Sequence, residues 1–275
     1  MLDHFKTSDG IRIAYHIDDF SDPWRSDPPL IMLHAAMGHS RRFYAMVPTL
    51  CRHFRTIRMD LRGHGESEVP ADKSVRMDRL VDDVLELMAR LGHPSAHLLG
   101  NSAGGYISQQ LAMKHPEKVL SLSLFASPPG LKNSSALTWL PRIAKDGLRA
   151  FLADTIADRL PLALTDPGYV TWFLDEAAKN DTQYIGNFVS HMASLDWSDQ
   201  VHQIRCPTFV VIPGGETVGH TDNYNCMRDN IPDVTLKYYD GLPHNICDSV
   251  PERCAEDALS FLQSRFPDGF SPSRT

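Results

Sequence analysis

The sequence has 275 residues, of which 42% are hydrophobic and 22% charged, so it can bury one large core or a core with an inserted subdomain. Its net charge is −7 and no more than two Lys or Arg residues are adjacent, which argues against nucleic-acid partners and anionic membranes. No apolar run approaches the roughly 18 residues of a membrane span, and the N-terminal segment lacks a signal-peptide pattern. Five cysteines without C-x-x-C spacing favour reduced thiols, so we expect a cytoplasmic protein.

The first half of the chain predicts strands and helices in alternation. Strands are predicted over residues 2–7, 11–17, 30–33, 54–59, 96–100 and 119–125, and helices over 41–52, 74–91 and 103–115. A hairpin turn at Asp9-Gly10 joins the first two strands. The helix over 74–91 has apolar residues at intervals of three and four. Alternation of this kind is typical of an α/β protein with a mostly parallel sheet and helices on both faces.

Residues 127–200 interrupt this alternation. Four helical stretches are predicted there, over 135–145, 147–159, 167–178 and 181–194, with no strand between Pro128 and Asp199. An all-helical insert in an α/β chain predicts a cap over the site. We therefore divide the chain into a core of residues 1–126 and 201–275 and a helical cap of residues 127–200.

The strand–helix alternation resumes after the predicted cap. Strands are predicted over 207–212 and 234–239, which makes eight in all, and helices over 221–230 and 251–265. The residues from 268 onward are rich in Ser, Pro and Gly and are predicted to fray.

A serine between two glycines follows the strand predicted over 96–100. Residues 100–104 read G-N-S-A-G, with an apolar run before them and a helical pattern after them. At a sharp strand-to-helix turn the serine hydroxyl is exposed, and the residues two before and two after it press against neighbouring backbone. Gly100 and Gly104 meet that demand. We therefore predict that Ser102 is a nucleophile, with a plain glycine-rich turn as the alternative.

A serine hydroxyl is a poor nucleophile unless a histidine takes its proton. Of the thirteen histidines, His244 is the best candidate, because it follows a predicted strand at the carboxyl edge of the sheet, where Ser102 also lies. His34 and His64 stand beside small residues at strand ends, so we expect each to brace a loop by hydrogen bonding.

A carboxylate is needed to orient the histidine. Glu216 follows the strand over 207–212 after a Pro-Gly-Gly turn and precedes His244 by 28 residues, which suits a shared carboxyl edge. Asp222 and Asp248 are the alternative acids. The non-catalytic alternative is that Glu216 is a solvated loop carboxylate.

With these residues assigned, nearly the whole chain resembles the α/β-hydrolase superfamily. It is most similar to the capped branch that includes meta-cleavage-product C–C hydrolases, enol-lactonases and small carboxylesterases. The matching motifs are G-N-S-A-G-G at 100–105, D-x-R-G-x-G-x-S at 60–67, I-R-C-P-T-F-V-V at 204–211 and G-L-P-H at 241–244.

The resemblance implies a role for each of five residues. Ser102 would be the nucleophile, His244 the base and Glu216 the acid. The main-chain N–H groups of Ala36 and Ala103 would form the oxyanion hole. Neither a metal nor an organic cofactor is implied.

Four departures from the family pattern matter. Ala35 stands where glycine is usual, and Glu216 stands where aspartate is usual. The segment 35–38 and Asn245 differ from the corresponding residues of the C–C hydrolases. Haloalkane dehalogenases and epoxide hydrolases share the fold but carry aspartate at the position of Ser102, which argues against both.

We therefore expect a serine hydrolase that cleaves an ester or lactone of a small, largely apolar substrate. Met37, Trp139, Trp172 and His191 are the predicted substrate contacts. The alternatives are a C–C bond hydrolase and a small-ligand signalling receptor on the same fold. The expected partner is the small-molecule substrate, and we expect neither nucleic acid nor a membrane as a partner. A homodimer is possible from the sequence.

Overall fold

The computed structural model describes residues 2–24, 27–131 and 134–267, and an eight-stranded sheet runs through them. The strands are β1 Leu2–Lys6, β2 Arg12–Asp18, β3 Leu30–Leu33, β4 Thr56–Met59, β5 Ala96–Asn101, β6 Val119–Phe125, β7 Thr208–Pro213 and β8 Val234–Tyr239. Their order is β1-β2-β4-β3-β5-β6-β7-β8. Pairing is antiparallel from β1 through β2 to β4 and parallel elsewhere. The predicted fold class is confirmed.

Helices cover both faces of this sheet. They are α1 Val47–Leu50, α2 Met77–Arg90, α3 Ala103–Lys114, α4 Leu140–Asp154, α5 Pro167–Ala178, α6 Thr182–Ala193, α7 Asn225–Asn230, α8 Ile246–Ser249 and α9 Pro251–Arg265. None of the helices in the described ranges is long and apolar enough to cross a membrane.

The strand β3 shows how its sequence divides the core. All four of its residues are apolar and buried. Ile31 and Leu33 belong to the cluster that packs against α2 and α3, whereas Leu30 and Met32 belong to the cluster that packs against α1 and α9. Side chains alternate between the two faces of a strand, so an unbroken apolar run fits a strand that is covered on both sides.

The helices between residues 135 and 193, called the helical segment below, have an apolar cluster of their own. Phe151, Phe173 and Val189 belong to it, together with Met37 from the loop after β3. On its other side α6 contributes Phe188 to the cluster that packs on the sheet. The division of the chain into core and cap domains stays a prediction.

Gly147 divides α4 into two parts. The stretches predicted over 135–145 and 147–159 correspond to a 3₁₀ helix over 135–139, the two parts of α4 on either side of Gly147, and another 3₁₀ turn over 156–158. Gly147 has φ 78° and ψ 166°, which are not helical, so α4 consists of two helices that meet at a kink where the two predicted stretches also meet. Glycine adopts this backbone conformation at little steric cost. An isolated antiparallel bridge joins Gly130 and Asp196, just outside the helical segment, where no strand pairing was expected.

Three short elements also differ from the sequence-based expectation. The helix predicted over 41–52 is a 3₁₀ helix over 40–43 followed by α1, which has Pro48 in its first turn. The helix predicted over 221–230 begins as a 3₁₀ helix before α7. The four-residue helix α8 was not predicted, because four residues are too few to show a period. The predicted fraying from residue 268 onward lies outside the described residues.

Candidate active site

The turn around Ser102 joins β5 to α3 in a strained conformation. Ser102 has φ 50° and ψ −114°, a region that residues with a Cβ rarely adopt. A Cβ added at Gly100 would lie 2.4 Å from the Cα of Gly105, and one added at Gly104 would lie 2.0 Å from the carbonyl oxygen of Leu33. The chain can therefore make this turn only with glycine at both positions.

Hydrogen bonds to neighbouring elements hold this turn. The N–H of Ser102 donates to the carbonyl of Phe125 at the end of β6, at 2.9 Å. The carbonyl of Ser102 accepts from the N–H groups of Gly105 and Tyr106, at 2.8 and 3.1 Å, and from the hydroxyl of Ser127 at 3.2 Å. With its main chain fixed in this way, Ser102 presents its side chain toward the loop that follows β8.

His244 lies in that loop and bridges Ser102 to Glu216. Its Nε2 is 2.9 Å from the Oγ of Ser102, and its Nδ1 is 2.7 Å from an Oε of Glu216. Since a carboxylate only accepts, Nδ1 carries the proton and Nε2 presents its lone pair to the serine hydroxyl. The structure therefore brings the three predicted residues, from three separate loops, into one hydrogen-bonded chain in the orientation that general-base catalysis requires.

Glu216 is held as an ionised acceptor. Its side chain is only 1% exposed, and its second oxygen accepts from the N–H groups of Val218 and Gly219, at 2.8 and 3.1 Å. Burial by itself raises the pKa of Glu216, but the adjacent His244 and the accepted hydrogen bonds outweigh it and lower the pKa below its ordinary value. All three hydrogen bonds favour the charged form that orients a histidine.

The two alternative carboxylates have other surroundings. Asp222 is exposed, in the 3₁₀ helix over 221–224. Asp248 is buried and forms a two-pronged ion pair with the guanidinium of Arg42, and it also accepts from the hydroxyl of Tyr169 at 2.6 Å. Neither carboxylate contacts His244 among the described residues.

The loop after β3 lies on the opposite side of Ser102. Ala36 and Ala103 both line the pocket at Ser102. Ala103 is the first residue of α3, so its N–H has no acceptor within the helix, and the N–H of Ala36 donates to none of the described residues. Both N–H groups are thus free for a substrate oxygen. The next residue, Met37, has φ 62°, which bends the loop over the pocket.

His34 and His64 brace this region, as expected from the sequence. Nε2 of His34 accepts from the N–H of Leu61 at 2.9 Å, and its Nδ1 donates to the carbonyl of Ala35 at 2.8 Å. Nδ1 of His64 donates to the carbonyl of Arg62 at 3.0 Å. Burial lowers the pKa of both histidines, to about 4 for His64. Both rings are therefore neutral supports of the loops.

Two of the four predicted substrate contacts line the pocket, namely Met37 and Trp139. The other two are engaged elsewhere. Trp172 packs against the rings of His39, Tyr44 and Tyr169. Nε2 of His191 accepts from the N–H of Met77 at the start of α2, 3.1 Å away. Neither residue is among those that line the pocket at Ser102.

Four residues with polar side chains line the pocket and were not predicted as site residues: Tyr106, Arg42, Arg159 and Asn245. Tyr106 is fully buried one turn into α3, and its hydroxyl interacts with the side chain of Ser102. Arg42 and Arg159 contribute two guanidinium groups. The remaining wall is largely apolar and includes Leu131, Leu152, Phe173, Val189, Met192 and Val218. A helical period around Ser102 could have indicated Tyr106, whereas no local signal distinguishes the two arginines.

The described residues contain no group of three or more His, Cys, Asp or Glu side chains arranged to hold a metal ion. All five cysteines are unpaired, and Cys51, Cys247 and Cys254 are buried.

Comparison with known proteins agrees with this geometry. The sequence model of a family described as alpha/beta hydrolase fold matches residues 28–249. The non-heme chloroperoxidase of Streptomyces lividans is 26% identical over 279 residues, which cover 94% of this chain and 98% of the relative.

Solved structures are similar over almost the full chain. A hydrolase from Pseudomonas aeruginosa has a TM-score of 0.85 at 28% identity, over 95% of this chain and 98% of that one. The enol-lactonase from Burkholderia xenovorans LB400 has a TM-score of 0.86 at 20% identity, over 95% of this chain and all of that one. At 20% identity the second likeness establishes the fold alone.

Proposed function

The chain belongs to the α/β-hydrolase family, and from that premise we propose that it is a serine hydrolase of a small carboxylic ester or lactone. The single observation that supports this most strongly is the hydrogen-bonded chain from Ser102 through His244 to Glu216, with distances of 2.9 and 2.7 Å. A nucleophile, a base and an orienting acid in hydrogen-bond reach are what acyl transfer needs.

Acylation begins when Oγ of Ser102 attacks the ester carbonyl carbon and its proton passes to Nε2 of His244. Glu216 stabilises the imidazolium that forms. The carbonyl oxygen becomes an oxyanion, which accepts from the N–H groups of Ala36 and Ala103, each contributing about 10²–10³-fold in rate. The tetrahedral intermediate then expels the alcohol, which takes the proton from His244, and leaves an acyl group on Ser102.

Deacylation repeats these steps with water. His244 takes a proton from a water molecule as its oxygen attacks the acyl carbon, and the same two N–H groups stabilise the second oxyanion. Ser102 leaves and regains its proton from His244, and the carboxylic acid departs. In a lactone the carbon chain joins the released hydroxyl to the acyl group throughout, so deacylation releases a single hydroxy acid.

The pocket walls support a small substrate with apolar parts. Met37, Trp139 and Phe173 are among the lining residues, and the largest of them come from the helical segment. We propose that this segment acts as the cap that limits substrate size. Replacing Phe173 with Ala should widen the range of acyl chains that are hydrolysed. If the chain-length profile does not change, the cap does not select substrates.

The function is tested by hydrolysis of short aryl esters and lactones with wild-type protein and the Ser102→Ala variant. We expect kcat to fall by roughly 10⁴–10⁶ in the variant, because a triad acts as a unit. Ser74→Ala, at an exposed serine, is the matched control and should keep full activity. An organophosphonate should modify Ser102 and no other serine. Retained activity in folded Ser102→Ala would overturn the mechanism.

The same assay separates the two rival functions. A receptor would cleave its ligand at most slowly and retain the product, so burst kinetics without turnover would favour it. A C–C hydrolase would cleave vinylogous diketones faster than esters of the same size. Multiple turnover on esters or lactones that exceeds turnover on diketones supports the proposed function.

A further inference from the structure

Arg159 is a buried cation in the catalytic pocket, and no carboxylate in the described part of the chain pairs with it. It follows the 3₁₀ turn over 156–158, lines the same pocket as Ser102, and is 6% exposed. Burying a charge without a counter-ion is costly, so an isolated buried guanidinium calls for a physical reason. Among the described residues, no Asp or Glu lies within ion-pair distance of it. The closest opposite charges act only at longer range, from Asp158 and Glu216.

The hydrogen bonds of Arg159 use only part of its guanidinium. Nη1 donates to the carbonyl and to the hydroxyl of Thr155, at 2.9 and 2.7 Å. Nε and Nη2 donate to no other residue in the described ranges. The guanidinium carbon lies 5.2 Å from the ring centre of Trp139 and 5.3 Å from that of Phe151. Thr155 and these rings hold the group in place while its remaining donors stay free.

Arg42, the second arginine of the wall, provides the contrast. Its guanidinium is neutralised by Asp248 through two hydrogen bonds and lies over the ring of Phe173, with 4.4 Å between the guanidinium carbon and the ring centre. It therefore has little capacity for another anion. Burial lowers the pKa of Arg159 to about 10, so this side chain remains charged at neutral pH and is the unpaired cation of the two.

We propose that Arg159 binds an anionic group of the substrate, so that the ester or lactone cleaved at Ser102 also carries a carboxylate. A carboxylate fits the guanidinium because both are planar and can form two parallel charge-assisted hydrogen bonds. The apolar walls would contact the chain between the carboxylate and the scissile bond. This inference rests on the proposed hydrolase function and narrows its substrate class to acidic esters and lactones.

A site built to pair with a charged group discriminates strongly against a neutral analogue, since the neutral ligand leaves the buried cation without a partner. A charge-assisted hydrogen bond corresponds to about a 10- to 100-fold difference in binding. Wild-type protein should therefore favour an acidic ester over its neutral counterpart by at least about 10-fold in kcat/KM.

Two pairs of esters test this preference, one with the charge on the acyl side and one with it on the alcohol side. The first pair is monoethyl glutarate and ethyl pentanoate, and the second is 4-acetoxybutanoate and butyl acetate. Arg159→Gln should lower the acid-to-neutral ratio of kcat/KM by about 10- to 100-fold for the preferred pair, and Arg159→Lys should restore part of it. Arg149→Gln, at an exposed arginine of α4, is the control and should leave the ratio unchanged.

A ratio near one in the wild type, or an equal loss for both members of a pair in Arg159→Gln, would overturn the inference. An equal loss would mean that Arg159 only supports the end of α4 through Thr155. A purely structural role would also give no rescue by lysine.

A binding measurement keeps the inference separable from the hydrolase proposal. Calorimetric titration with glutarate and with neutral glutaramide does not depend on turnover. Glutarate should bind the wild type more tightly than glutaramide, and Arg159→Gln should weaken glutarate alone by about 10-fold or more. If no ester is cleaved and Ser102 is not labelled, the hydrolase proposal fails while this titration still decides the role of Arg159. Equal binding of the two ligands would refute it.

Discussion

The backbone conformation of Ser102 makes a prediction about stability that is independent of substrate. Its φ of 50° and ψ of −114° disfavour any residue with a Cβ. Ser102→Ala and Ser102→Gly both remove the hydroxyl and its hydrogen bond to His244, and they differ only in the Cβ. The difference in their free energies of unfolding therefore measures the strain at this turn.

The two contributions to that difference have opposite signs. A non-glycine residue in such a sparsely populated region costs of order 1–3 kcal/mol in the folded state. Replacing alanine with glycine lowers the free energy of unfolding by about 0.5–1 kcal/mol, because glycine makes the unfolded chain more flexible. We expect the Gly variant to be more stable than the Ala variant by about 1–2 kcal/mol. At an ordinary helical position the order of the two residues is reversed.

Urea unfolding followed by circular dichroism measures this difference, and thermal unfolding should show it as roughly 2–4 °C per kcal/mol for a chain of this size. Ala89→Gly, at an exposed position of α2, is the control and should lose about 1 kcal/mol. Both Ser102 variants should lack hydrolase activity. If Ser102→Gly proves no more stable than Ser102→Ala, the turn stores no strain and the geometric argument for the nucleophile is weakened.

Three further results are expected. Glu216→Gln should lower kcat by about 10⁴-fold in a folded protein, because an amide cannot stabilise the imidazolium of His244. Asp222→Asn should keep a kcat near that of the wild type. The reverse result would assign the acid to Asp222. Gly104→Ala places a Cβ 2.0 Å from the carbonyl oxygen of Leu33, so urea unfolding should show a loss of about 3 kcal/mol or more, and a smaller loss would show that β3 can move. Because the pKa of Glu216 is lowered in the folded protein, its ionised form stabilises the fold at pH values above the ordinary pKa of 4.5, and this contribution is lost as the pH falls through the folded pKa. The difference in free energy of unfolding between wild type and Glu216→Gln should therefore shrink in acid. A difference that does not change with pH would contradict the ionised state of Glu216.

The sheet and the turn around Ser102 could be predicted because their determinants are local. Strand β3 is an apolar run of four residues, and the turn needs glycine two residues before the serine and two residues after it. Such patterns lie within a few residues, and burial or backbone contact follows directly from them. Helix α4 is a further case, since Gly147 separates two predicted helical stretches and has non-helical backbone angles in the structure.

Chain position ranked the three candidate carboxylates, but contacts between residues far apart in the chain decide which one pairs with His244. Asp248 pairs with Arg42, which is 206 residues away in the chain, and no local pattern shows that pair. Glu216 has its N–H donors from Val218 and Gly219 nearby, yet only the fold brings it to His244. Chain order on a parallel sheet therefore predicts which loop carries the acid, while the electrostatic surroundings of each carboxylate come from the folded chain.

The substrate contacts were the least predictable part, because helical period identifies an apolar face without showing what lies opposite. Trp172 and His191 were predicted to contact the substrate, but Trp172 packs against the rings of His39, Tyr44 and Tyr169. His191 instead accepts from the N–H of Met77 in α2. Arg159 carries no signal in the sequence, since an arginine after a helix is most often exposed. Its significance appears only once burial and the absence of a paired carboxylate among the described residues are known.

The loop of the base and the helical segment are joined by two main-chain hydrogen bonds. The N–H of His244 donates to the carbonyl of Asp158 at 3.3 Å, and the N–H of Asn245 donates to the carbonyl of Arg159 at 3.1 Å. The residue that we propose binds the substrate anion thus also supports, through its backbone, the loop that positions the imidazole. A shift of the 3₁₀ turn over 156–158 would move both together. Because a displacement of about 1 Å can cost of order 10²-fold in rate, substrate recognition and base alignment at this site are mechanically coupled.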